Sequence, residues 1–249
     1  MTKTMTNKYL VMAFAAMSIC FTSCKKEFTL NESSVTLNQG DQYTIGYENG
    51  TNLVYTSDNP YVATVDNNGV VTANFVGNAN INVAASEGNQ ILKVNVAPLY
   101  TLYEEPYLDF TMSKTEVMDM YGDTYLGQSV DGDLEMSFFQ VNSKYAYAFL
   151  FTGDELEAIY AVCQYTGIDK VRQFLSERYS YIYEEDGMYT YTNWLDLGIT
   201  TTTYKGDINF GYGCLVCYFP VDFSDMANSR SSAIVKNDWI KLFNTTISK

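Results

Sequence analysis

Apolar and polar residues alternate most regularly in Asn78-Ala79-Asn80-Ile81-Asn82-Val83, the two-residue period of a strand with one face turned to a core. From Phe28 to Val96 further β-prone runs surround it: Val35–Leu37, Tyr43–Tyr47, Leu53–Thr56, Val62–Val65, Val70–Ala73, Ala79–Ala84 and Ile91–Val96. Turn residues break them at Gly40-Asp41, Asn49-Gly50, Asp58-Asn59-Pro60, Asn67-Asn68-Gly69 and Glu87-Gly88-Asn89. Seven short strands in so short a stretch predict a small antiparallel sandwich over 28–97. Pro98 and Pro106 then bracket a semi-rigid linker, 98–106, rich in Tyr and Glu.

The period changes after the linker. Ser113-Lys114-Thr115-Glu116 is a capping box that predicts a short helix to about Tyr121. Strands follow at 125–130, 134–141, 145–152 and 156–163. A second helix is predicted from Asp169 to about Tyr179, where Val171, Phe174, Leu175 and Arg178 fall at helical spacing. Strands at 180–184, 188–193, 199–204 and 208–219 come next. The order is helix plus four strands, twice, which predicts an α+β domain over 107–249. Its antiparallel sheet carries two helices on one face, in an α-ββββ duplication without sequence identity between the halves. The tail is expected to close with a helix around 233–243.

The N-terminus follows different rules. Lys3 and Lys8 precede an almost unbroken apolar run from Tyr9 to Phe21, too short to span a bilayer and suited to a secretory signal. Thr22 and Ser23 lie directly before Cys24. Phe21-Thr22-Ser23-Cys24 resembles the lipobox of bacterial lipoproteins. That resemblance implies removal of residues 1–23, acylation of Cys24 and a short tether at 24–27. Several acyl chains on one cysteine make a firm anchor, where one alone would not.

Charge and composition narrow the function classes. The net charge is −14, and loss of Lys3 and Lys8 makes the remainder more acidic still. Phosphate-directed binding of nucleic acid needs a cationic surface, so nucleic acid is disfavoured as a partner. No phosphate-binding glycine loop or nucleotide fingerprint is present, so no cofactor or nucleotide is expected. The chain has no histidine, which removes the commonest general base and metal ligand. Carboxylate or Ser-Lys chemistry survives only in principle, and the expectation is a non-enzyme. Cys163, Cys214 and Cys217 cannot all pair with one another. Cys214 and Cys217 have CxxC spacing, but on a strand they point to opposite faces, which predicts buried structural thiols rather than a redox or zinc site.

Ser34-Val35-Thr36-Leu37, Gly40, Tyr55-Thr56-Ser57-Asp58-Asn59, Val62-Ala63-Thr64-Val65-Asp66, Gly69-Val70-Val71-Thr72-Ala73 and Gly77 together resemble the bacterial Ig-like group 2 family. Tyr55 occupies the position where that family usually has Trp, and Asn78, Asn80 and Asn82 replace its usual Thr. The resemblance implies a spacer or adhesive module on a cell-surface protein. With the lipobox and a Tyr/Asn/Asp-rich second domain, the chain is similar to envelope lipoproteins of Bacteroidota.

Two constellations invite a functional reading. Tyr181, Tyr183, Tyr189, Tyr191 and Trp194 crowd a predicted hairpin and are the candidate ligand-binding residues, since aromatic faces suit sugars and peptides. Tyr145, Tyr147, Phe149 and Phe151 share one strand face and are assigned to the core. Asp131, Asp133 and Glu135 alternate on one strand but lack the spacing of a calcium loop, and no metal site is expected. The sequence thus predicts an outer-membrane, lipid-anchored protein whose Ig-like stalk presents a non-catalytic domain to a polysaccharide or an envelope protein. A structural or assembly factor of the outer membrane is the alternative. Lys25 and Lys26 directly after Cys24 leave open which side of that membrane it faces.

Overall fold

A computed structural model describes residues 26–205 and 212–221. Cys24 and the stretch 233–243 lie outside the described residues.

The first unit is the expected sandwich. Its strands are β1 (Thr29–Leu30), β2 (Ser34–Leu37), β3 (Gln42–Thr44), β4 (Tyr47–Glu48), β5 (Val54–Ser57), β6 (Ala63–Val65), β7 (Val70–Ala73), β8 (Gly77–Ala85) and β9 (Gly88–Val96). One sheet runs β2-β9-β8-β5, the other β3-β7-β6, and β1 and β4 form a short ribbon. All pairs are antiparallel except β2 with β9. Ala79, Ile81 and Val83 are buried between the sheets, while Asn78 and Asn82 are exposed on the other side of β8. Asp58 accepts from both the backbone and the side-chain amide of Asn80, at 2.7 and 2.8 Å, and so closes the β5–β6 turn onto β8. Gly69 has φ +75° and sits under the Tyr55 ring, where an added Cβ would lie 2.8 Å from the ring. Only glycine meets both demands there.

The second unit is one eight-stranded antiparallel sheet with two short helices. Helix α1 (Lys114–Tyr121) precedes β10 (Tyr125–Asp131), β11 (Leu134–Gln140), β12 (Tyr145–Thr152) and β13 (Glu155–Gln164). Helix α2 (Ile168–Ser176) precedes β14 (Ser180–Glu185), β15 (Met188–Thr192), β16 (Leu197–Lys205) and β17 (Tyr212–Pro220). The sheet order is β10-β11-β12-β13-β17-β16-β15-β14. Each meander runs inward from its own edge, and the fourth strands meet at the centre. The helices hold only 8 and 9 residues, so the chain as a whole is predominantly β.

Helix α1 has the capping box read from the sequence, with Ser113 capping and Glu116 reaching back to the Ser113 N–H at 2.8 Å. A nine-residue helix such as α2 is marginal alone. Burial of Val171, Phe174 and Leu175 against the sheet stabilises it by about 1.5–3 kcal/mol per side chain.

The segment before α1 is not a free spacer. Tyr103 and Met112 are buried in the helix-side core with Tyr147, Phe149, Phe151 and Tyr218, and Leu102, Leu108 and Phe110 pack against it. Leu102 and Tyr103, within the stretch read as a linker, are therefore part of the second unit's packing.

Candidate functional site

The two units meet at the C-terminal end of α2. The last carbonyls of a helix have no partner within it and must find donors elsewhere. Here the Ig-like unit supplies them. Gln39 Nε2 donates to the Ser176 carbonyl at 3.0 Å, the Val76 N–H to Glu177 at 2.8 Å, and the Tyr61 hydroxyl to Arg178 at 2.7 Å. The Glu177 carboxylate is buried, at 4% exposure, and accepts the N–H groups of Leu99 at 3.0 Å and Tyr100 at 2.9 Å. Arg178 stacks over Phe174, 3.7 Å from the ring, and donates to the Phe174 carbonyl at 2.9 Å. Three consecutive residues thus bind the sandwich and the connecting chain.

Beside this joint lies a cleft of about 780 Å³. Asn59, Tyr61 and Val76 form one wall, and Tyr107, Asp109 and Phe110 of the connecting chain another. Arg178, Tyr179, Asn193, Leu195 and Asp196 are among the other residues that line it. Glu105 also lines it. Tyr179 and Tyr218 both donate to Glu105 Oε1, at 2.8 and 3.0 Å, and the Tyr103 hydroxyl bonds in turn to that of Tyr218. Arg178 Nε lies 3.5 Å from the other oxygen. Burial holds Tyr103, Tyr179 and Tyr218 well above the ordinary phenol range, so they remain protonated donors.

Burial also raises Glu105 above the ordinary 4.5, against the lowering effects of Tyr179, Arg178 and Tyr218. The folded chain therefore holds this proton more tightly than the unfolded chain. Stability falls as pH climbs from the ordinary glutamate value through the raised one. In Glu105→Gln that fall is expected to vanish. Denaturant midpoints of both forms across a pH series measure it, and parallel curves would refute the assignment. Asp58, Asp66, Asp109 and Glu116, each lowered by hydrogen bonds, contribute in the opposite sense at low pH and cancel in the difference.

One loop overhangs the cleft. Asn193 Oδ1 accepts the N–H groups of Leu195, Asp196 and Leu197, and its amide donates to Asp196 at 2.9 Å. The Trp194 N–H donates to Thr192 Oγ1 at 3.0 Å. This network holds Trp194 at φ +60°, a left-handed conformation that a bulky residue adopts only when its surroundings impose it. Trp194 is 57% exposed and Leu195 72%. Leu195 lines the cleft, and Trp194 lines a shallower groove of about 410 Å³ with Pro60, Tyr61 and Phe75. Tyr61, stacked on Phe75 at 4.5 Å, lines both.

The five aromatic residues expected to bind ligand do not share one surface. Tyr191 is buried at 1% exposure among the helix-side core, and Tyr189 packs beside it under the Arg172 guanidinium at 4.2 Å. Tyr181 faces Tyr191 across the hairpin, with ring centroids 5.6 Å apart. A bulge between Tyr181 and Tyr183 pairs Tyr183 with Thr190 and turns it to the opposite face. Trp194 is the one of the five at the joint between the units. Sequence reasoning missed Glu105, Tyr179 and Glu177, which read locally as solvated or helical positions.

Cys163 and Cys214 face each other across β13 and β17 on the helix side, while Cys217 pairs with Tyr160 and packs on the other face. All three are free thiols. Burial pushes Cys214 up to about 11 and Cys217 up to about 12. Glu135 is bound to Lys114 at 2.9 Å. Among the described residues no group of three or more His, Cys, Asp or Glu side chains could hold a metal ion, and no helix is long and apolar enough to cross a membrane.

No curated protein matches the chain. Among solved structures, one titled "Structure of the S-layer protein SbsC, domains 5-6" overlaps 79% of this chain and 84% of its own, at 13% identity and a TM-score of 0.24. At that score the overlap carries no argument. Residues 26–96 match the bacterial Ig-like domain (group 2), the family their strand and turn motifs resemble.

Proposed function

We propose that this chain is a lipid-anchored, non-catalytic protein of the bacterial outer membrane, and that the cleft at the joint of its two units binds a segment of polysaccharide or of an envelope protein. The observation that carries this reading is the cleft itself, about 780 Å³, with walls from both units and an exposed, hydrogen-bonded Trp194–Leu195 loop at its rim. Ligand sites favour such concave junctions, where aromatic faces meet a few fixed polar groups. The lipobox resemblance at Cys24 supports the anchor, and the Ig-like match supports an extracytoplasmic role. We read the sheet as an α-ββββ duplication, because its two halves meet fourth strand to fourth strand.

The chain from residue 25 onward, immobilised and offered a polysaccharide panel and an envelope extract, tests the reading. Saturable retention is expected. Trp194→Ala should weaken it by roughly 30-fold, the effect of removing an interface anchor worth about 2 kcal/mol. Retention of neither class, or retention indifferent to both Trp194→Ala and Leu195→Ala, would dismiss the cleft as the site.

A further inference from the structure

The cleft and the shallower groove adjoin. Val76 lines the first and Phe75 the second, Leu195 the first and Trp194 the second, and Tyr61 lines both. Among the described lining residues the acids are Glu105, Asp109 and Asp196, and the one base is Arg178. Arg178 already faces Glu105 at 3.5 Å and Glu177 at 3.7 Å. On a chain of net charge −14, such a lining repels an anionic polymer. The main chain of the rims is committed too. The Asn74 and Phe75 N–H groups donate to the Val62 carbonyl, and that of Val76 to the Glu177 carbonyl. The Trp194 N–H donates to Thr192 Oγ1, and those of Leu195 and Asp196 to Asn193 Oδ1. An extended peptide is captured chiefly through main-chain hydrogen bonds, and these donors are already taken.

We propose that the two concavities form one track for a neutral glycan, whose chain crosses the Tyr61 ring. This rests on the reading of the cleft as the binding site and names its ligand class. What the walls present is ring faces and carboxylate oxygens. Tyr61 stacks on Phe75 and is held by its hydroxyl's bond to the Arg178 carbonyl. Trp194 is fixed at φ +60°, and such strain in a bulky residue clusters at ligand clamps. Rings held in place before binding lose little freedom when a ligand arrives. The C–H face of a pyranose packs on them as apolar surface does. Asn193 engages Oδ1 of Asp196, and Thr111 engages Oδ1 of Asp109. Each carboxylate keeps a second oxygen, which accepts a sugar hydroxyl.

The chain from residue 25 onward should be titrated with neutral polymers (an α-glucan, a β-glucan, a mannan, a xylan), with polygalacturonate and heparin, and with tryptic peptides of an envelope extract. A neutral polymer should bind saturably and with the same affinity when salt is added, since no charge pair is screened. Trp194→Ala, in the groove, should weaken it roughly 30-fold, and Leu195→Ala, in the cleft, about ten-fold. Both side chains are exposed, so both variants should fold as the parent does. Binding of an acidic polymer or of the peptides instead overturns the neutral-glycan assignment and leaves the cleft standing as a site. Weakening in only one of the two variants confines the ligand to one concavity and overturns the track. Binding of nothing overturns both the track and the reading it rests on.

Discussion

Glu177→Ala is expected to separate the two units without unfolding either core. The carboxylate accepts two backbone N–H groups of the connecting chain and is itself buried. Removing it leaves both donors without their acceptor, and a hydrogen bond to a charged group is worth about 1.5–3 kcal/mol. The loss at the joint should therefore be on the order of 3–5 kcal/mol. Differential scanning calorimetry should then show two transitions where the parent shows one, and proteolysis should begin within 97–112. Tyr61→Phe, which removes only the bond to the Arg178 carbonyl, should cost about 1 kcal/mol and keep a single transition. A single, unshifted transition in Glu177→Ala would show that the joint does not depend on this side chain.

Gly213→Ala is expected to be more damaging still. An added Cβ would lie 2.1 Å from the carbonyl oxygen of Cys163, on the neighbouring strand. A backbone atom at that distance cannot rotate away, so β13 and β17 must part. These strands are where the two halves of the sheet join. A loss above about 4 kcal/mol follows, within the range that marks backbone strain in a core. Expression in inclusion bodies, or loss of cooperative unfolding, would report it. Near-parental stability would mean that the β13–β17 pairing is looser than the structure shows.

Much of the fold was legible because it is written locally. The alternation at 78–83 places β8, the capping box at Ser113 places α1, and the turn residues mark nearly every strand end to within a few positions. The Ig-like motifs lie within one continuous stretch, so sequence pattern alone reached the family. The bulge that splits the aromatic hairpin between the two sheet faces leaves no periodic trace in the sequence. One extra residue at Ile182 turns Tyr183 away from Tyr181, although both keep their place in the pattern. Glu177 carried no signal either, since a glutamate beside an arginine in the last turn of a predicted helix reads as solvated. Its burial follows from Leu99 and Tyr100 arriving from nearly 80 residues away.

The sequence by itself determined most of the strands and both described helices, the Ig-like identity of the first unit, and an acidic, histidine-free chemistry. All of these depend on neighbours within one element or on composition. Only the tertiary structure decided that the connecting chain is core, that the sandwich supplies donors to the end of α2, and that a cleft lies where they meet. Those outcomes depend on unpaired carbonyls and apolar faces finding partners far along the chain. No local pattern encodes which partner arrives.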